Sequence, residues 1–185
     1  MKLETDLSYM IIQNTMKYRI TLLSFLLFLV VNTNLNAQAN ISNAEVSFEF
    51  VSKEVKGSIA GFTSSSSINF DTPENSSFTG SVAVETLDTN NGLRNWSLKS
   101  RKYFDEDAFP RISFESTVVT QNETGYIVKG NLTLKGITKP ITISFTKKGN
   151  QLKGLFEIYS YDYGIKIKKK REDNLVKVVL LFDLK

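Results

Sequence analysis

Three stretches of this 185-residue chain hold residue types that could do chemistry. Asp88-Thr89-Asn90-Asn91-Gly92 sets oxygen ligands at alternate positions, as a calcium loop does. The twelfth position, where such a loop needs a bidentate Glu, is Lys99, and the glycine falls one place early, so no calcium site is expected. Tyr103-Phe104-Asp105-Glu106-Asp107 gathers three carboxylates beside aromatics, and Asp162 follows Tyr161, which raises paired-carboxylate glycoside hydrolysis. No spacing sets two of these acids across a cleft, and acid clusters in loops are as a rule solvated surface. Lys166, Lys168, Lys169, Lys170 and Arg171 form a basic run just before Glu172-Asp173. It fits an exposed loop or strand face, or a contact with anionic lipid headgroups.

The chain has no His and no Cys. That excludes a Ser-His-Asp triad, a thiol nucleophile, a disulfide, and the usual zinc sites built from nitrogen and sulfur ligands. No catalytic residue and no metal ligand is assigned, and the protein is read as a non-enzyme without a cofactor. The charge is +4, from 23 Lys and Arg against 19 Asp and Glu, which is mild beside proteins that track a phosphate backbone, so no nucleic acid partner is expected. Hydrophobic residues make up 41% of the chain, with 13 Phe against one Trp, enough apolar mass for a core.

Met16-Lys17-Tyr18-Arg19 supplies a start and two positive charges ahead of an apolar run from Ile20 to Val31. That run is too short to cross a hydrocarbon core, which takes about 20 residues, and Asn32, Asn34 and Asn36 keep it from extending further. Ala37-Gln38-Ala39 then gives the A-x-A pattern of a signal-peptidase site. Residues 16–39 are therefore read as a secretory signal peptide cleaved near Ala37 or Ala39, and residues 1–15 as an upstream extension or a misassigned start. Residues 40–185 are one exported domain, periplasmic or secreted, with no transmembrane segment. A membrane anchor is the alternative, and the absence of Cys excludes a lipoprotein.

The elements that must position any site repeat with period two. Val46, Phe48 and Phe50, then Phe78, Gly80, Val82 and Val84, alternate with polar neighbours, as strands with one buried face do. Further strands carry Ile112, Phe114, Ser116 and Val118; Tyr126, Val128, Gly130, Leu132 and Leu134; Ile141, Ile143 and Phe145; Leu152, Gly154, Phe156 and Ile158; and Val176 to Leu184. After the turn Leu87 to Gly92 (LDTNNG), Leu93 to Ser100 reads as a short helix with Leu93 and Trp96 on one face, shared with Tyr103. Gly57, Gly61, Gly80 and Gly130 within strand-like runs point to bends or bulges. About eight strands at regular spacing favour an all-β closed antiparallel barrel or a sandwich.

Several blocks closely resemble the YceI-like polyisoprenoid-binding family. They are Gly57-x-x-x-Gly61-Phe62 before Ile68-x-Phe70-Asp71, Thr86-Leu87-Asp88-Thr89-x-Asn91 with Arg94 and Leu98, Tyr103-Phe104-Asp105 leading to Phe109-Pro110-x-Ile112-x-Phe114, and Val128-x-Gly130 through Pro140. The resemblance runs from about Ala44 to Lys185. It implies a lipocalin-like, extended antiparallel β-barrel of about eight strands, with the short helix inserted after the LDTNNG loop, enclosing an isoprenoid or other amphiphilic lipid. The chain departs from the family's pattern where a His is common and Ser97 stands, where an Arg precedes the Tyr161-Asp162 pair and Ser160 stands, and in lacking an early D-x-x-H-S.

Strand alternation nominates Phe62, Phe70, Phe78, Val82, Phe114, Leu132, Ile143, Phe145 and Phe156 as lumen-facing, with Trp96, Phe104 and Phe109 near a helix-capped mouth. The expected partner is an isoprenoid or fatty-acid-like lipid, and a homodimer is the assembly left open. The alternative function is a structural or interaction module of the cell envelope whose barrel core is solid, since a barrel of this size holds either side chains or one ligand.

Overall fold

The computed structural model describes Gln38–Lys185 together with the single positions Met10, Lys17 and Arg19. The extension expected at 1–15 and the signal peptide expected at 16–39 lie outside the described residues, apart from those three positions and Gln38-Ala39. The chain divides into two units, residues 1–36 and 37–185, and the second carries the β-sheet fold.

Nine strands make one antiparallel sheet. They are β2 (Ile41–Phe50), β3 (Val55–Ile59), β4 (Thr63–Ser64), β6 (Thr79–Ala83), β7 (Arg111–Asn122), β8 (Gly125–Leu134), β9 (Ile137–Lys148), β10 (Gln151–Tyr159) and β11 (Leu175–Leu184). Their order is β3-β2-β11-β10-β9-β8-β7-β6-β4. A separate pair, β1 (Gln38–Ala39) with β5 (Ile68–Asn69), lies outside it. The two ends of the large sheet, β3 and β4, are successive pieces of one segment, broken at Ala60–Phe62 where Gly61 takes φ +65°. The Ala83 N–H donates to the Ala60 carbonyl at 3.0 Å, and the Arg111 guanidinium donates to the Gly61 carbonyl at 2.8 Å. The sheet therefore curls until its ends come together at Ala60–Phe62 without pairing as strands, which is the barrel rather than the sandwich of the two forms the strand spacing left open.

Four glycines let the interior fill with rings. Gly57 stands directly opposite Phe48 and Gly154 directly opposite Phe145. A Cβ added at Gly57 would fall 2.5 Å from the Phe48 ring, and one at Gly154 would fall 2.5 Å from that of Phe145. Gly80 and Gly130 make the same room for Phe62 and Phe114. Of the glycines read as bends or bulges, Gly61 does bend the chain, whereas the irregularity of the β7–β8 register falls between Ser116 and Val118. Gly57, Gly80 and Gly130 are instead sockets: a ring on a neighbouring strand fills the place of the missing side chain.

The lower half of the interior is largely filled by aromatic rings. Phe78 stacks on Phe145 with centroids 5.2 Å apart, Phe145 lies 5.8 Å from Phe182, and Phe182 lies 5.4 Å from Phe62. Val128, Ile143 and Leu152 close this core around the rings.

Helix α1 (Gly92–Lys99) follows the LDTNNG turn, as expected, and Asn91 caps it by accepting the Arg94 N–H at 3.0 Å. Its faces are the reverse of the expectation. Leu93 and Trp96 are 84% and 77% exposed, while Leu98 packs against the cluster of Ile59, Val82 and Leu87. The helix is tied to the preceding loop through Asn95, which bonds Asp88 and Thr89, and it turns Leu98 rather than Leu93 and Trp96 to the barrel. Tyr103 lies beyond the helix and turns inward without them.

Gly154→Ala is expected to destabilise the fold by about 1–3 kcal/mol, because the new methyl overpacks the Phe145 ring within a filled core. Gly92→Ala, with nothing within 4 Å of the new Cβ, is expected to cost nothing measurable. Urea midpoints of the two variants at constant slope check the contrast.

Candidate functional site: an apolar cavity above the aromatic floor

Register decides which half of the barrel stays open. At one level Phe48 of β2, Val178 of β11 and Phe156 of β10 are successive cross-strand partners. The next level down runs Val46, Leu180, Gly154, Phe145, and here the glycine admits the Phe145 ring that seals the floor. Above it lies a cavity of about 530 Å³. Its walls are apolar, from Val46, Phe48, Ile59, Leu134, Ile158 and Val176 among others. A smaller void of about 110 Å³ continues below, among Phe62, Phe78, Phe114 and Phe145.

Polar lining is sparse: Lys53, Thr89, Arg94, Ser97, Tyr103 and Ser160. Lys53 is exposed and Arg94 half-buried, so the cavity reaches the surface where they stand. Both formal charges on the lining are cations; no Asp or Glu is among the wall residues. Arg94 and Ser97 reach it from α1, on the opposite side of that helix from Trp96.

The segments that looked chemical have structural work. The Asp88 carboxylate accepts the Asn95 amide and the Asn90 N–H, both at 2.8 Å, and these bonds hold it below the usual carboxylate range. Asn95 Oδ1 in turn accepts from Thr89, through its N–H and its hydroxyl. The would-be calcium loop is thus a hydrogen-bonded turn that seats α1. Among the described residues no group of three acidic side chains could hold a metal ion.

The basic run is a loop pinned from within. Asn174 is fully buried; its Oδ1 accepts the N–H groups of Ile167 and Lys168, and its Nδ2 donates to the carbonyls of Lys168 and Lys170. Arg171 makes two charge-assisted bonds to Asp162, at 2.7 and 2.6 Å, and lies 3.8 Å over the Tyr159 ring. Position 160 holds Ser, yet a guanidinium reaches Asp162 from this loop. Burial pushes the neighbouring Tyr163 hydroxyl up to about 12.

The structure distributes the nominated residues unevenly. Val82, Leu132 and Phe156 line both voids, and Phe104 lines the large one. Phe62, Phe78, Phe114, Ile143 and Phe145 surround the small void and floor. Phe70 packs on Tyr126 at 5.5 Å, and Phe109 lies against Gly136 beyond β8; neither lines a cavity, nor does the exposed Trp96. The large cavity depends more on Val46, Phe48, Ile59, Leu98, Leu134, Ile158, Ile165 and Val176, which were not nominated. Alternation had placed several of these on buried faces, but period two says nothing of height along the barrel axis.

Asp162 carries a testable sign. Its pKa is lowered from 3.8 by the hydrogen bonds from Arg171, so its contribution to stability is present above that ordinary value and is lost as pH falls through the lowered one. With the side chains 45% and 25% exposed, solvent screens the pair and its worth is a small part of the fold's stability. Arg171→Met is expected to cost that small part near neutrality, and the pH-dependent part should vanish in acid. Urea denaturation across the acid range checks it.

A curled antiparallel β-barrel, packed with aromatic rings at one end and hollow at the other, with a short helix beside the hollow end, is the class of protein this geometry defines. The chain belongs to the YceI-like domain family, whose model matches residues 36–184. A UPF0312 protein of Yersinia enterocolitica is 41% identical over 71 residues, so the match spans about 37% of each chain. Among solved structures, BcnA of Burkholderia cenocepacia superposes with a TM-score of 0.63 at 18% identity, covering 79% of this chain and 98% of that one. The Campylobacter jejuni YceI protein gives 0.58 at 13% identity over 71% and 84%. A polyisoprenoid-binding domain from Saccharophagus degradans, described as implicated in plant cell wall breakdown, gives 0.53 at 12% identity over 80% and 97%.

Proposed function

We propose that this protein is an exported, non-catalytic carrier that holds an isoprenoid or other amphiphilic lipid in the hollow half of its barrel. The observation that carries this reading is the apolar cavity of about 530 Å³, well within the size range of small-molecule sites. Unoccupied, the cavity leaves its apolar wall in contact with water through the opening beside Lys53 and Arg94. Water would find few polar partners there. A hydrocarbon chain answers both problems: each buried methylene contributes about 0.8 kcal/mol and a five-carbon isoprene unit roughly 3–4 kcal/mol. A few units outweigh the estimated 4–15 kcal/mol cost of association. The tail lies against Phe48, Phe156 and Val178 with its end toward the aromatic floor, and the polar head stays near Arg94, Lys53 and Ser97.

Family membership and the description of the Saccharophagus domain as polyisoprenoid-binding support the same reading. Export rests on the Lys17-to-Ala39 pattern in the sequence. Cleavage after Ala37 would keep strand β1, which pairs Gln38 with Asn69 and Ala39 with Ile68, whereas cleavage after Ala39 would remove it. The site after Ala37 is therefore the one proposed.

Native mass spectrometry of protein recovered from its own envelope is expected to show a bound lipid, and delipidated protein is expected to take up an added isoprenoid. Val176→Trp should fill the cavity and lower that uptake at least tenfold while the urea midpoint stays within the range of an ordinary core change. A ligand-free protein that also takes up no isoprenoid would overturn the reading in favour of a structural module.

A further inference from the structure

We infer that the outer face of helix α1 is a membrane-docking surface, which seats the hollow end of the barrel on a bilayer rich in anionic lipid. Leu93 and Trp96 stand three residues apart on a helix, so they share one face, and they are the most exposed large apolar residues of the barrel unit at 84% and 77%. On that same helix Arg94, Ser97 and Leu98 line the cavity. The helix thus turns Arg94, Ser97 and Leu98 to the lumen and the apolar Leu93 and Trp96 outward, directly beside the place where the cavity reaches the surface.

Charge identifies the occupant. From Thr89 to Phe104 the chain holds Arg94, Lys99, Arg101 and Lys102 and no acidic residue, while exposed Asp88, bonded to Asn95 of the helix, and exposed Glu85, whose carbonyl accepts from Lys99, stand just before it. Arg101 and Lys102 are exposed, and their backbone carbonyls accept from Lys135, which brings another amine alongside. Arg94 sits in the first turn of α1, the end where the helix dipole favours anions, and that turn carries no acidic residue. Lys53 adds a further cation at the rim. Asp105, Glu106 and Asp107 follow at the end of the segment, and only Asp107 of the three is fully exposed. A Trp and a Leu flanked by Lys and Arg are what the headgroup region of an anionic bilayer receives: the ring enters the interface and the cations meet lipid phosphates.

The surface rests on the carrier reading only for its purpose, since docking would let a lipid pass between bilayer and cavity without crossing water. The docking itself is independent of which lipid is carried. Trp96 is the only tryptophan in the chain, so its fluorescence reports this face alone. With vesicles of phosphatidylcholine and 30–40% phosphatidylglycerol, about that fraction being chosen to give a strong surface potential, Trp96 emission is expected to shift to the blue. Lipids brominated near the headgroup should quench it. Pure phosphatidylcholine should give a much smaller shift, as should roughly 1 M salt, where the screening length falls to about 3 Å.

Leu93→Glu is expected to weaken vesicle partitioning at least fivefold while isoprenoid uptake from detergent and the urea midpoint stay unchanged. Emission that neither shifts nor is quenched at saturating vesicles would overturn the inference. So would a blue shift that grows with protein concentration in the absence of lipid, which would assign the face to a second copy of the chain. Docking with no isoprenoid uptake would sink the carrier reading and leave the surface standing; uptake with a silent Trp96 would do the reverse.

Discussion

The structure depends on phenylalanine rings occupying the space that glycines leave open. A curled sheet has a crowded interior, because inward side chains from all its strands converge on one axis. Placing Gly154 opposite Phe145, and Gly57 opposite Phe48, lets each ring lie against a neighbouring strand instead of competing for the centre. Glycine within a strand costs chain entropy and leaves backbone unpacked, and the ring offsets the second loss by covering it. Phe145 then meets Phe78 and Phe182, and these rings with Phe62 close one end of the barrel. The hollow end has the same origin: one level up, the partners are Phe48, Val178 and Phe156, and no such stack crosses the centre.

Polar chemistry serves the rim. Asp88, Asn91 and Asn95 fasten the loop that starts α1, and Asn174 threads the basic loop with four hydrogen bonds. Asp162 finds its cation in Arg171, eleven residues after the serine at position 160. Each buried polar side chain among the described residues has a partner, so none stands ready as an unsatisfied acid or base. The wall of the cavity is mostly hydrocarbon, with two cations, a few hydroxyls and no carboxylate among its lining residues.

Much of the fold was legible because the physics behind it is local. A period of two assigned β2 and β6 to β11 but not β3, β4 or the β1–β5 pair, the LDTNNG turn located the helix, and the Phe-rich alternation marked the inner face. The features that escaped had a common cause in relations between strands. Phe70 carries the same alternation as Phe78 and Phe156 but lies outside the strands, packed on Tyr126, and Phe109, expected near the mouth, lies against Gly136. Trp96 looked inward because apolar residues are usually buried, but Leu98 of the same helix takes the packed side. Val46, Phe48 and Ile59 were ordinary strand residues until pairing put them at the open level.

The sequence by itself determined an all-β chain without thiol or imidazole chemistry, most of its strands and its helix, and a family resemblance that the domain match bears out over residues 36–184. Those follow from side-chain type and spacing along the chain, which no tertiary contact can alter. Only the tertiary structure decided which end of the barrel is filled, how large the remaining cavity is, and which side of α1 meets it. These depend on the stagger of hydrogen-bonded strands around a curled sheet, where a shift of two residues keeps every side chain on its own face and still moves it from the floor to the cavity wall.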